Sequence, residues 1–360
     1  MRRLLDWTVL VPALAIVALA LTWGSHVGPV VVGVVAVLLA GAVLAAVHHA
    51  EVVAHRVGEP FGSLVLAVAV TVIEVALIVT LMISGGPDSA TLARDTVFAA
   101  VMLTTTGIVG LSLLLGARRF GMTVFNAEGS GAALATVATL ATLSLVLPTF
   151  TTSQPGPEFS PGQLTFAALA SLALYAMFVL TQTVRHRDFF LPVAQEGAPS
   201  EDDHASPPTT RAALTSLGLL MVALVAVVGL AKIESPAIED GVALAGFPQS
   251  FVGVVIAILV LAPETLAAVR AARRGRLQIS LNLAYGSAMA SIGLTIPTIA
   301  LASVWLEGPL VLGLGATQMV LLALTVVVSV LTVVPGRATR LQGGVHLILL
   351  AAFIFLAISP

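Results

Sequence analysis

The sequence predicts an all-α polytopic membrane protein of about eleven transmembrane helices: one extra N-terminal helix followed by two inverted five-helix repeats. Three observations carry this reading. Only 9% of the 360 residues are charged and 58% are hydrophobic, whereas soluble domains carry roughly 25% charged residues. Apolar stretches long enough to cross a bilayer recur along the whole chain, which needs about 18 or more residues each. Two matched apolar segments, each ending in a glutamate, stand in the two halves of the sequence.

The first apolar run follows a basic start, MRRLLDW, and contains Ala18-Leu19-Ala20, features shared with cleaved signal peptides. It is read here as a retained helix because the charge map below requires it. Polar residues, glycines and prolines divide the rest. Spans are expected near 8–24, 29–50, 61–84, 95–116, 126–148, 163–184, 212–232, 248–270, 278–304, 308–334 and 343–359.

Basic residues collect on the cytoplasmic side of membrane proteins, which tests this count. With the N-terminus inside, Arg2, Arg3, Arg56, Arg118, Arg119, Arg185, Arg187, Arg211, Arg270, Arg273, Arg274, Arg276, Arg337 and Arg340 fall on the inner side. Only Arg94 and Lys232 fall outside. Losing one helix would scramble that asymmetry downstream. The expected setting is the plasma (inner) membrane of a prokaryote, with the C-terminus outside.

Residues 189–211, FFLPVAQEGAPSEDDHASPPTTR, are acidic and proline-rich, a composition with little reason to pack. They read as a cytoplasmic linker. The expected organisation is an extra helix in 1–28, a first repeat in 29–188, the linker, and a second repeat in 212–360. Repeats of five helices must be inverted relative to one another. FGSLVLAVAVTVIE (61–74) and FVGVVIAILVLAPE (251–264) support the relationship, each in the second helix of its half.

Glu74 and Glu264 are the residues that demand a function. Glu59 and Asp88 are the nearest charges flanking Glu74, and an ionised side chain at mid-bilayer costs about 2.5–3.5 kcal/mol on insertion scales. A buried carboxyl holds its proton more tightly than an exposed one. Two such groups facing each other hold two protons or one divalent cation with no change in charge, which is the minimal chemistry of an antiporter. A protonated packing residue is the plainer alternative for Glu74, and pairing with Arg270 is the plainer alternative for Glu264.

The chain has no cysteine, and no histidine stands beside either glutamate. Hard oxygen ligands suit calcium, which takes six to eight of them. The expected metal-site set is Glu74 and Glu264 with Thr71, Thr105, Thr106, Ser287 and Ser291 as hydroxyl candidates. Pro263, which frees a helix carbonyl, joins them. Each hydroxyl also has the simpler option of bonding its own helix backbone. Glu128 is read as a helix N-terminal carboxylate or a vestibule group. His48, His49 and His55 form a possible pH-sensing cluster at the inner end of the second span, and Asn282 is placed near the site or in packing.

HRVGEPFGSLVLAVAVTVIEVALIV (55–79), RDTVFAAVMLTTTGIVGLSLLLG (94–116) and LAPETLAAVRAARRGRLQISLNLAYGSAMASIGLTIP (261–297) resemble the calcium/cation antiporter superfamily, and within it the ChaA-type calcium/proton antiporters. The acidic EDDH (201–204) shares the likeness. The resemblance implies ten core helices in two inverted repeats and calcium–proton exchange by alternating access between Glu74 and Glu264. It puts Thr106 and Ser287 where the paired helices supply polar groups. Related calcium exchangers carry Gly-Asn shortly before each glutamate. Val70-Thr71 and Val260-Leu261 stand there instead, leaving room for sodium or potassium as the exchanged cation.

The expected substrates are therefore calcium, or sodium or potassium, and protons. The lipid bilayer is the surrounding partner, with no cofactor and no nucleic acid. An intramembrane enzyme is the distant alternative, but HExxH is absent from the sequence and no aspartate is expected deep in a span. A channel would call for rings of ligands. A straight-helix ruler sets one condition. Thirteen residues from each Phe is about 20 Å, so in a core about 30 Å thick tilt or a break at Pro263 must bring the glutamates level.

Overall fold

The computed structural model describes residues 6–24, 28–58, 61–85, 90–193, 195, 197, 208–305 and 308–360. Arg2, Arg3, Glu59, Asp88 and the EDDH stretch at 201–204 lie outside the described residues.

Eleven long helices are present among the described residues. They are α1 (Trp7–Thr22), α2 (Pro29–Val57), α3 (Phe61–Gly85), α4 (Leu92–Phe120), α5 (Ala127–Thr149), α6 (Pro161–Arg185), α7 (Thr210–Leu244), α8 (Phe251–Arg273), α9 (Leu277–Ala302), α10 (Ala316–Val333) and α11 (Arg340–Ile358). Nine of them meet the length and hydropathy of a membrane span across their described residues, with shorter apolar stretches in α1 and α3. The chain is an integral membrane protein. Its outer wall is apolar, with Val30, Phe166, Leu169, Val320 and Ile348 exposed, as a surface solvated by lipid requires.

Local chemistry sets the helix ends. Pro29 opens α2 at a position where its missing N–H is no loss. Ser160 and Gln163 form a capping box at α6, and Thr339 and Gln342 another at α11. Gly58 closes α2 at φ 77°, a backbone region that favours glycine.

Two expectations about span limits are corrected. The helix expected from 308 starts at Ala316, because residues 308–315 run extended and Val311 bridges to Glu158. The span expected to end near 232 continues through Pro236 to Leu244 and buries Glu234 and Ser235.

Inverted pairing is visible in the loops. β1 (Thr123–Val124), after the third helix of the first half, pairs antiparallel with β2 (Arg337–Ala338), after the fourth helix of the second. Glu158, after the fourth helix of the first half, bridges Val311, after the third helix of the second. One motif thus appears twice, with the halves exchanged. The helix contacts repeat the pattern: α4 packs on α8 as α9 packs on α3, and α11 packs on α4 as α6 packs on α9.

The buried apolar residues form two clusters. One joins α1, α2, α3 and α7; the other joins α4, α5, α6, α9, α10 and α11. Helices α3 and α8 contribute to both, as does α4 through Leu92 at its start. On α8, Val252, Ile256 and Val260 belong to the first cluster, while Val254, Ala257 and Leu261 belong to the second. On α3, Leu77 belongs to the first and Ile78 to the second.

Candidate functional site

Glu74 and Glu264 stand on that seam. Glu74 lies one turn before Leu77 and Ile78, and Glu264 lies one turn after Val260 and Leu261. Each carboxylate therefore occupies the boundary between the same two clusters, approached from opposite helix directions. Glu74 is 3% exposed and Glu264 4% exposed.

Ser291 of α9 donates its hydroxyl to Glu74 Oε1 at 2.5 Å. This bond ties the third helix of the second half to the second helix of the first. Glu264 Oε2 is buried with no hydrogen-bond partner among the described residues. Helices α3 and α8, which bear the two glutamates, pack against each other. No ion pair joins Glu264 to Arg270, since among the described residues the one ion pair is Arg94–Asp95 at 2.8 Å. An unpartnered buried carboxylate oxygen is costly, and it is where a proton or a cation is stabilising.

The other expected ligands divide. Thr71 is buried one turn before Glu74, and Pro263 is buried beside Glu264 inside α8, where it leaves the carbonyl of Leu259 without its helical donor. Ser287 is half-buried one turn before Ser291 on the same face of α9. Thr105 and Thr106 donate their hydroxyls to Val101 and Met102 carbonyls of their own helix, at 2.6 and 2.5 Å. That is the simpler option foreseen for them, and it leaves only oxygen lone pairs for a cation. Both sit in a π-helical turn, Leu103–Ile108, that interrupts α4.

The outlying candidates are not brought to the glutamates. Glu128 is exposed in the first turn of α5. His48 and His55 are exposed, whereas His49 is buried with Nε2 2.9 Å from the Thr8 carbonyl, fastening α1 to α2. Asn282 donates to the Phe190 carbonyl at 2.7 Å and accepts from Gln278. It is packing at the end of α9.

Three buried acidic or histidine residues escaped the sequence reading. Asp95 and Glu234 each keep an unpartnered oxygen, Asp95 at the first turn of α4 and Glu234 inside the extended α7. His346, in α11, is fully buried. Its signal was a lone histidine in the last apolar span.

Among the described residues no cluster of three or more His, Cys, Asp and Glu side chains occurs. The arrangement offers two carboxylates, the Ser291 hydroxyl and the carbonyl freed by Pro263 at the boundary between two buried clusters. That set can bind and release small hard cations and protons.

Comparison with known proteins agrees with a transporter. The chain belongs to the sodium/calcium exchanger protein family, matching it over residues 27–184 and 215–359. It is an ion exchanger of that family rather than an enzyme. Among its relatives, the protein y4hA of Sinorhizobium fredii is 46% identical over 98% of this chain and 96% of its own length. The sodium-potassium/proton antiporter ChaA of Escherichia coli is 36% identical over 97% of this chain and 95% of its own length. The H+/Ca2+ exchanger CAX shares the fold, with a TM-score of 0.70 at 17% identity, covering 98% of this chain and 91% of that structure.

Proposed function

We propose that this protein is a secondary cation/proton antiporter that exports calcium in exchange for protons, with Glu74 and Glu264 as the shared site. The observation that supports this most is the pair itself: two buried carboxylates, on repeat-related helices, at the boundary between the same two clusters. Two protons neutralise both carboxylates, and one calcium ion does the same. Loading either one empties the site of the other. Ser291 and Ser287 on α9, and the carbonyl freed before Pro263, add oxygens toward calcium's shell.

Alternating access follows from the seam. Sliding of one cluster against the other exposes the site to one face and then the other, and a site that stays neutral crosses that transition at the lowest electrostatic cost. In this reading the arginine-rich ends face the cytoplasm, with the N-terminus inside and the C-terminus outside.

A second reading, exchange of sodium or potassium for protons at the same site, is favoured by two observations. No side-chain amide precedes either glutamate, where Val70-Thr71 and Val260-Leu261 stand. The relative at 36% identity is named a sodium-potassium/proton antiporter. Everted vesicles or proteoliposomes carrying a proton gradient separate the two. Calcium, sodium and potassium are added in turn, and proton movement is followed with a pH-sensitive dye. Dissipation by calcium supports the first reading, and dissipation by monovalent ions alone replaces it with the second.

A further inference from the structure

His346 is fully buried in α11, and its ring touches α4 and α10 at once. Nδ1 lies 2.9 Å from the carbonyl oxygen of Thr105, and Nε2 lies 3.2 Å from Thr332 Oγ1. A carbonyl only accepts, so Nδ1 carries a proton and donates it. Nothing in the carboxylate site uses this residue.

The Thr105 carbonyl has a specific need for a donor. In the π-turn of α4 the N–H of Val109 bonds to the carbonyls of Thr104 and Thr106, passing over Thr105, its α-helical partner. His346 takes the carbonyl that Val109 passes over. The same turn packs against α8, which bears Glu264, and α9, which bears Ser291. Isolated π-turns concentrate at functional places in helices.

Two glycines permit the approach. A Cβ on Gly110 would lie 3.0 Å from His346 Cβ, and Gly343 packs on the Leu114 backbone. The inverted counterpart of this seam, α6 on α9, lacks the device. There Tyr175 of α6 lies against Gly293 of α9, where a Cβ would stand 2.7 Å from the tyrosine Cβ. α9 is α-helical throughout. Gly110 and Gly293 close the corresponding segments LTTTGIVG and GSAMASIG in the third helix of each half. The third helix that faces the imidazole has the π-turn; the third helix that faces the phenol does not.

We propose that His346 is a positioning residue of the exchange cycle, holding the Thr105 carbonyl so that the π-turn of α4 stays wound against the two helices of the site. This rests on the exchange function proposed above. It assigns the two seams unequal roles, with the π-turn of α4 held by a hydrogen bond from α11 and Gly293 of α9 packed against Tyr175.

The test compares His346→Asn, His346→Gln and His346→Leu in proteoliposomes, with calcium, sodium and potassium as cations. Hydrogen exchange over residues 103–110 and 286–293 is followed by mass spectrometry in the same preparations. An Asn amide nitrogen reaches the Nδ1 position, whereas Gln mimics only Nε2. The Leu and Gln variants are expected to lose maximal rate about tenfold, the scale of one hydrogen bond. They exchange faster over 103–110 and unchanged over 286–293, and the Asn variant restores both. Gln carries the test if Leu does not fold. Parental rate and parental exchange in the Gln variant overturn the proposal, as does an Asn variant no better than Gln. A parent that moves no protons with any cation sinks the proposed function instead, and hydrogen exchange over 103–110 then decides the role of His346 alone.

Discussion

The hydroxyl of Ser291 donates to Glu74 across 2.5 Å, although 217 residues separate them in the chain. The bond joins the two halves at the seam where Glu264 also stands, and it partners Glu74 while Oε2 of Glu264 has no partner among the described residues. An inverted repeat is symmetric in topology, but its site need not be.

Removing that hydroxyl separates binding from folding. Ser291→Ala is expected to weaken apparent cation affinity about tenfold, in line with a hydrogen bond to a charged group, while Ser291→Thr recovers most of it. Concentration dependence of cation-driven proton flux is the readout. An unchanged KM in Ser291→Ala would show that the serine only packs.

Competition for one site fixes the pH dependence. A protonated carboxylate cannot take a cation, so lowering the pH on the cation side raises the apparent KM and leaves maximal rate at saturating cation unchanged. Fluxes at three external pH values test this. A fall in maximal rate with constant KM would place the proton at a separate site.

Pro263 offers a case where stability and activity part. Pro263→Ala restores a backbone hydrogen bond to α8 and removes a residue that disfavours helix interiors by about 3 kcal/mol. The melting temperature in detergent is expected to hold or rise while exchange falls. Loss of both would mean that the proline shapes packing rather than the site.

Two glycines of the second half, Gly343 on α11 and Gly286 on α9, predict opposite responses. A Cβ at Gly343 would meet the Leu114 backbone, with the Gly110 carbonyl 3.0 Å away, whereas one at Gly286 meets nothing within 4 Å. Gly343→Ala should destabilise by about 1–3 kcal/mol, and Gly286→Ala should be neutral or slightly stabilising. Thermal melts of the two purified variants check the contrast.

The sequence made the helices legible because a bilayer demands long apolar runs, and the same demand made Glu74 and Glu264 conspicuous. It misled where apolar or polar character did not decide conformation. Residues 308–315 are apolar, yet they run extended, with the N–H groups of Val311, Gly313 and Leu314 bonded to the carbonyls of Ala90, Pro157 and Leu145 rather than within a helix. KIESPAIED looked like a loop, yet it continues α7 with Glu234 turned inward. Ser291 was one hydroxyl among several on three helices, and only the packing of α9 on α3 singles it out. The π-turn at Thr105 follows from which carbonyl each N–H selects, a choice that no composition or period encodes.

The most direct measurement of the central claim is calcium-driven proton movement in proteoliposomes, comparing the parent protein with Glu74→Gln and Glu264→Gln. Each substitution keeps the side chain's size and removes its charge. Calcium is predicted to dissipate the proton gradient in the parent and to leave it intact in both variants. Parental activity in either variant would contradict a shared two-carboxylate exchange site.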